Sequence, residues 1–285
     1  MTALDPRLTP ARGDLAAAHL ENVVAAARFA EGRPRRIAVG TAPLRREPRP
    51  DATLDTEALL GEAVTVYEED EGWAWVQLGA DGYVGYLPAT ALGPPGEPAT
   101  HRVAALRTFL FPGPSIKLPP ADVLPLGARV TVAAVEGALA RLATGGFVPA
   151  CHLSPPDVAE PDFVAVAERF LGVPYLWGGK TALGLDCSGL VQVSLDAAGI
   201  ATPRDSDMQE ASLGAAAPPD PQALLRGDLL FWKGHVAIAR GDGTIVHANA
   251  HRMAVSIESI AEALARIEAA GSPLRSVRRP ALARG

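Results

Sequence analysis

The segment that most narrows the possible folds is residues 177–199, where a glycine-rich approach, Trp177-Gly178-Gly179 through Gly184, runs into Leu185-Asp186-Cys187-Ser188-Gly189-Leu190-Val191. Leu190, Val191, Val193, Leu195 and Ala198 continue it as an apolar segment that Gly199 closes. These residues dictate a loop feeding a helix, with Asp186 as N-cap and Gly199 as the C-terminal stop. Cys187 then sits in the first turn. Unpaired backbone N–H groups and the helix dipole favour an anion there, which predicts a thiol pKa below its free value of about 8.5 and a reactive thiolate. The other reading of such a residue is a small buried hydrophobe.

A nucleophilic thiol needs a base. His235 opens Gly234-His235-Val236-Ala237-Ile238-Ala239-Arg240, and His247 lies in Thr244-Ile245-Val246-His247-Ala248-Asn249; both have the pattern of strands. Gly241-Asp242-Gly243 between them reads as a hairpin turn. If those three residues form the loop, Arg240 pairs with Thr244 and Ala237 lies opposite His247. His235 is then diagonal to His247 on the same face. A slip of one residue would separate them. In the predicted register His235 serves as base and His247 orients it, the nucleophile, base and orienter logic of triad enzymes. Two unrelated strand histidines near a surface are the alternative. His247 and His251 are four residues apart, a spacing useful to a metal on a helix and not on a strand, so neither zinc nor any other metal is expected.

Six pieces in order carry a family resemblance. They are Pro174-Tyr175-Leu176-Trp177-Gly178-Gly179, Asp186-Cys187-Ser188-Gly189-Leu190-Val191, Pro203-Arg204-Asp205-Ser206-Asp207-Met208-Gln209, Gly227-Asp228-Leu229-Leu230-Phe231-Trp232, Gly234-His235-Val236-Ala237-Ile238 and Ile245-Val246-His247-Ala248. From about Pro156 onward the chain resembles the NlpC/P60 cysteine peptidases. The resemblance implies a papain-like α+β core in which Cys187 attacks a γ-D-glutamyl amide, His235 is the base and His247 the third, polar member. It also implies that Tyr175, twelve positions before the cysteine, helps the oxyanion or the substrate carbonyl. Asp186 and Ser188 are expected to face the amino end of the substrate, although Asp186 as a mere helix cap is an equally physical reading. Arg204, Asp205 and Ser206 are expected beside the groove, with Arg204 suited to a substrate carboxylate by bidentate pairing. No cofactor is implied; water is the only cosubstrate.

The rest of the 285 residues divides by pattern. Asp14 to Ala30 has apolar residues spaced near 3.6, ended by Gly32 and Pro34, and predicts a helical arm within residues 1–35. Residues 36–93 carry short strands with turn residues between them, the pattern of a small β-barrel, and resemble a bacterial SH3-like domain. Pro94-Pro95-Gly96-Glu97-Pro98 reads as a linker. A fainter copy of the barrel pattern spans 100–155, and the catalytic domain is expected over 157–285.

Two barrels ahead of an NlpC/P60 domain resemble the murein-peptide recycling, dipeptidyl-peptidase VI-like members of the family. In these the first barrel walls off the groove, so that only peptides with a free amino-terminal L-Ala fit. Tyr83 and Tyr86, with an acid such as Glu57 or Glu62, are the barrel residues expected to meet that amine, or else the tyrosines are barrel core.

A formal net charge of −6 argues against a nucleic-acid partner. No window approaches the roughly 20 apolar residues of a membrane span. Charged residues interrupt every candidate export segment near the N-terminus. The cysteines, Cys151 and Cys187, do not make a disulfide framework, and the cytosol is the expected compartment. The sequence therefore predicts a cysteine peptidase of murein-derived peptides. The alternatives are an exported endopeptidase acting on intact peptidoglycan and a non-catalytic or acyltransferase member of the same fold.

Overall fold

The computed structural model describes residues 4–281, so the outermost parts of the expected arm, 1–3, and of the expected catalytic domain, 282–285, lie outside it. The chain divides into two compact units, Met1–Pro156 and Asp157–Gly285.

The first unit is almost entirely β. Its seven-stranded antiparallel sheet runs, in spatial order, Leu54–Leu59, Thr41–Arg45, Val84–Pro88, Trp73–Leu78, Ala63–Asp70, Arg33–Ile37 and Leu92–Gly93. Alternate residues point inward, so Ile37, Leu44, Val64, Val66, Val76, Leu78 and Leu87 form one buried cluster. Residues 101–154 form a second module of three short sheets around Val103, Leu124, Val130, Leu142 and Val148. Backbone and side-chain bonds join the two modules, from the Gly40 N–H to Asp122 Oδ2 at 2.7 Å and from the Arg129 N–H to the Leu60 carbonyl at 2.8 Å.

The expected helical arm is not a helix. Leu15–Ala17 and Arg28–Ala30 pair as parallel strands, with one 3-10 turn, Ala18–Leu20, after the first. The physical reason is tertiary. Leu15, Ala17 and Leu20 bury against Tyr67 and Trp75 of the barrel, and Asn22 takes a φ of 66°, which no continuing helix allows. The near-helical spacing records which side chains are buried, not a helical backbone.

In the second unit, helix α1 is Phe163–Glu168, α2 Cys187–Ala197, α3 Ser206–Ser212 and α4 Ile260–Ala269. The sheet strands are β1 Ala215–Ala217, β2 Leu229–Trp232, β3 His235–Ala239, β4 Thr244–Asn249, β5 Ala254–Ser259 and β6 Ser276–Arg279. Their spatial order is β1-β6-β2-β3-β4-β5, antiparallel throughout. Leu229 to Trp232 are all buried, which explains a continuous apolar run in place of alternation. Helix α2 packs on β3 and β4. Ile260 and Ala263 of α4 pack with Trp232, Ala237, Ala239 and Ile245. Among the described residues no helix is long and apolar enough to cross a membrane.

Candidate active site

Helix α2 begins at Cys187 because Asp186 caps it: the Asp186 backbone is extended and its Oδ1 accepts from the Gly189 N–H at 2.7 Å. The approach loop is drawn tightly over this first turn. A Cβ on Gly189 would lie 2.2 Å from the Gly179 carbonyl oxygen, and one on Gly179 would lie 2.4 Å from that of Gly184, so both positions need glycine.

The same carboxylate anchors a buried ion pair. Arg204, 1% exposed, donates from Nη1 to Asp186 Oδ1 at 2.9 Å and from Nη2 to Asp186 Oδ2 at 2.6 Å, a bidentate contact. It also donates to Ser188 Oγ and the Gly179 carbonyl, while the Gly178 N–H donates to Asp186 Oδ2 at 2.8 Å. Arg204, which the sequence suggested for a substrate carboxylate, is therefore not open to one. Its charge is spent on Asp186, and burial shuts it from solvent. Asp186 and Ser188 flank Cys187 as parts of this bonded turn. Gln209 ties the next segment to it, donating to the Ser188 and Pro203 carbonyls at 3.0 and 2.9 Å. Asp205 and Ser206 lie half-buried at the start of α3.

Cys187 is buried, with its sulfur within reach of the Val236 backbone N–H, one residue beyond His235. Burial, aided by the charge of Asp186, pushes the thiol up to about 12. The depressed value expected from the helix terminus is not found. A helix N-terminus contributes up to about 2 kcal/mol, whereas full burial shifts a group by as much as 3–5 pKa units. Burial, with the neighbouring Cys187 and Asp186, holds the Tyr175 phenol well above its ordinary value, so its hydroxyl remains a proton donor.

The hairpin has the register that a loop at 241–243 requires: Ile238 faces Val246 and Ala239 faces Ile245, with the Arg240 N–H donating to the Thr244 carbonyl at 2.9 Å. His235 and His247 meet as a result. His235 Nε2 lies 3.0 Å from His247 Nδ1, and their ring centroids are 5.2 Å apart. The far nitrogen of His247, Nε2, lies 3.2 Å from Glu258 Oε2 on β5, off the line of a well-directed hydrogen bond. Arg266 of α4 in turn clasps Glu258, at 2.9 Å to Oε1 and 2.6 Å to Oε2. Glu258 and Arg266 were not anticipated from the sequence. Finding them requires the β4/β5 register, in which Ile245 faces Glu258 and His247 faces Ser256, so that Glu258 is the diagonal neighbour of His247.

Both imidazoles are held neutral. Burial and the neighbouring His247 lower His235 to about 3, and burial, against the pull of Glu258, lowers His247 to about 4. Their native-state affinity for protons is thus below the unfolded one. The stability this confers is complete above the ordinary value near 6.5 and is lost as pH falls from 6.5 through about 4 for His247 and on through about 3 for His235. At about 1.4 kcal/mol per tenfold change in proton affinity, the catalytic unit is expected to melt at steadily lower temperature between pH 6.5 and 4. A Tm that is flat across that interval in a pH series by calorimetry would contradict it.

Of the barrel residues, Tyr83 is 3% exposed and belongs to the barrel core, the second of the two readings its sequence position allowed and not the substrate-binding one. Tyr86 is half-buried, and its hydroxyl accepts from Arg12 Nη1 at 2.8 Å. Arg12 also lies over the Trp75 ring at 4.6 Å and pairs with Glu68.

The NlpC/P60 family profile matches residues 172–269, and that of the bacterial dipeptidyl-peptidase Sh3 domain matches 44–92. A γ-D-glutamyl-L-lysine dipeptidyl-peptidase of Bacillus cereus is 32% identical over 236 residues, 72% of this chain and 70% of that protein. The chain belongs to the NlpC/P60 family. As an NlpC/P60 protein it is a hydrolase of the cysteine-peptidase type. A γ-D-glutamyl-L-lysine dipeptidyl-peptidase of Bacillus subtilis is 29% identical over 241 residues, 75% of this chain and 78% of that protein. In fold, a crystal structure of an NlpC/P60 family protein from Bacillus cereus superposes with a TM-score of 0.74 at 24% identity, covering 88% of this chain and all of that one.

Proposed function

We propose that this NlpC/P60 peptidase hydrolyses the bond between γ-D-Glu and the diamino acid in short murein-derived peptides with a free amino-terminal L-Ala, releasing L-Ala-γ-D-Glu in the recycling of wall peptides. The observation that carries the reading is the meeting of a helix-start cysteine, the Val236 N–H and a linked histidine pair in one unit. The names of the Bacillus relatives supply the substrate class.

In the mechanism we infer, the resting site holds a neutral thiol and a neutral imidazole. With His235 Nε2 turned to His247, Nδ1 is the nitrogen left to take the Cys187 proton. The sulfur adds to the γ-glutamyl carbonyl carbon, and the oxyanion takes hydrogen bonds from the Cys187 backbone N–H and the Tyr175 hydroxyl, interactions worth a few kcal/mol each in related chemistry. His235 then gives its proton to the departing amine as the C–N bond breaks, leaving a thioester. Water, deprotonated by His235, attacks that thioester, and the thiol leaves with the proton returned.

The test is hydrolysis of L-Ala-γ-D-Glu-diaminopimelate and L-Ala-γ-D-Glu-L-Lys beside their N-acetylated forms. Cleavage restricted to the free-amine peptides is expected. Equal cleavage of free and acetylated peptides would overturn the free-amine requirement and point to an endopeptidase acting on intact wall.

A further inference from the structure

The histidine pair presents a choice that the geometry alone does not make. The bond from His235 Nε2 to His247 Nδ1 can carry its proton on either nitrogen. If the proton is on His247 Nδ1, then His235 Nε2 is the acceptor and neutral His235 must carry its own proton on Nδ1, the nitrogen that the mechanism proposed above turns to the thiol. Such a ring cannot act as a base. If the proton is on His235 Nε2, its Nδ1 is a free lone pair and the base is competent. A neutral imidazole has one N–H, so the second arrangement requires His247 to carry its proton on Nε2.

We propose that Glu258, held by Arg266, is the positioning residue that makes this choice. His247 Nε2 is sealed from solvent, has no aligned hydrogen-bond partner and sits 3.2 Å from Glu258 Oε2. A lone pair aimed at a carboxylate is repelled and an N–H is attracted, so the charge of Glu258 selects the Nε2–H form even without ideal alignment. Arg266 makes the two-point contact that fixes the carboxylate in place and keeps it ionised. Three strands and a helix thus set one proton: Glu258 on β5, His247 on β4, His235 at the start of β3, and Arg266 reaching back from α4 two turns after the strand ends. The inference rests on the catalytic roles proposed above for Cys187 and His235, and not on the identity of the peptide substrate.

The test uses the full chain with Cys151→Ser, so that Cys187 is the remaining thiol, and compares it with Glu258→Gln and Glu258→Asp. Nitrogen-15 NMR of labelled histidine is expected to show His235 protonated on Nε2 in the parent chain and in Glu258→Asp, and on Nδ1 in Glu258→Gln. Glutamine can offer its amide N–H to His247 Nε2 and so stabilises the opposite form. Alkylation of Cys187 by iodoacetamide, which needs proton loss to His235 but no substrate, should slow about 100-fold or more in Glu258→Gln. Replacing an orienting carboxylate by its amide costs a well-known triad enzyme about 10⁴-fold. With the tripeptide substrates kcat should fall in parallel, KM should stay within about threefold, and Glu258→Asp should restore most of the rate. An Nδ1–H on His235 in the parent chain overturns the proposal whether or not any variant folds, as does Glu258→Gln with parental tautomer and alkylation rate. A tautomer switch with slowed alkylation in a protein that cleaves none of the tripeptides upholds Glu258 and overturns the substrate reading instead.

Discussion

Replacing Cys187 by alanine is expected to cut hydrolysis of L-Ala-γ-D-Glu peptides by on the order of 10⁴-fold or more, the scale seen when a nucleophile acting as part of a unit is removed. His235→Ala should cost about as much, and the double variant little more than either, because in the proposed mechanism the two residues serve one proton transfer and one attack. The fold should survive Cys187→Ala. The helix start depends on the Asp186 side chain and the backbone of Gly189, neither of which the substitution touches. Steady-state kinetics alongside thermal denaturation separates the two effects. Residual activity within tenfold of the parent would remove Cys187 from the chemistry, and a collapsed Tm would make the kinetic loss uninformative, for which Cys187→Ser is the second variant.

The largest effect on stability is expected at the ion pair beside Cys187. Asp186→Ala should destabilise the catalytic unit by about 3–5 kcal/mol, because it leaves a buried guanidinium without its counter-charge. Loss of the helix cap adds about 1 kcal/mol. Arg204→Ala should fall in the same range but somewhat lower, since the Gly178 and Gly189 N–H groups still stabilise the carboxylate. Joint replacement, Asp186→Ala with Arg204→Ala, should fall well short of the sum, because no buried charge is left unpaired. The urea midpoint of the transition belonging to the catalytic unit measures all three. Additive losses would show that the two side chains do not act as a pair.

Much of this site was legible because it is written in local signals. The helix start at Cys187 follows from a glycine-rich turn, an Asx cap and Gly199, which adopts a φ of 78° where a C-terminal stop was expected. The pairing of β3 with β4 follows from Gly241-Asp242-Gly243, since a short loop leaves one register that keeps both histidines on a face. What failed was non-local. Arg204 looks like a surface cation in the sequence, and only its contact with Asp186, 18 residues away, reveals its charge as already matched. Residues 14–30 have a helical spacing without a helix, because burial against Tyr67 and Trp75 overrode propensity. Glu258 cannot be picked out from the sequence because its place beside His247 exists only once a third strand is in register. The thiol divides in the same way: a helix terminus can be read from sequence, whereas the desolvation that raises Cys187 belongs to the assembled core.

Arg12 carries a further implication for the first barrel. Its guanidinium lies 4.6 Å from the centre of the Trp75 ring and 5.8 Å from that of Tyr86, with Glu68 and Asp14 as counter-ions. The two ring faces and the nearby acids already hold a cation of the chain's own. An incoming cation would compete with a tethered one whose effective concentration is set by a few bonds of side chain, so only a ligand bringing further contacts of its own could evict it.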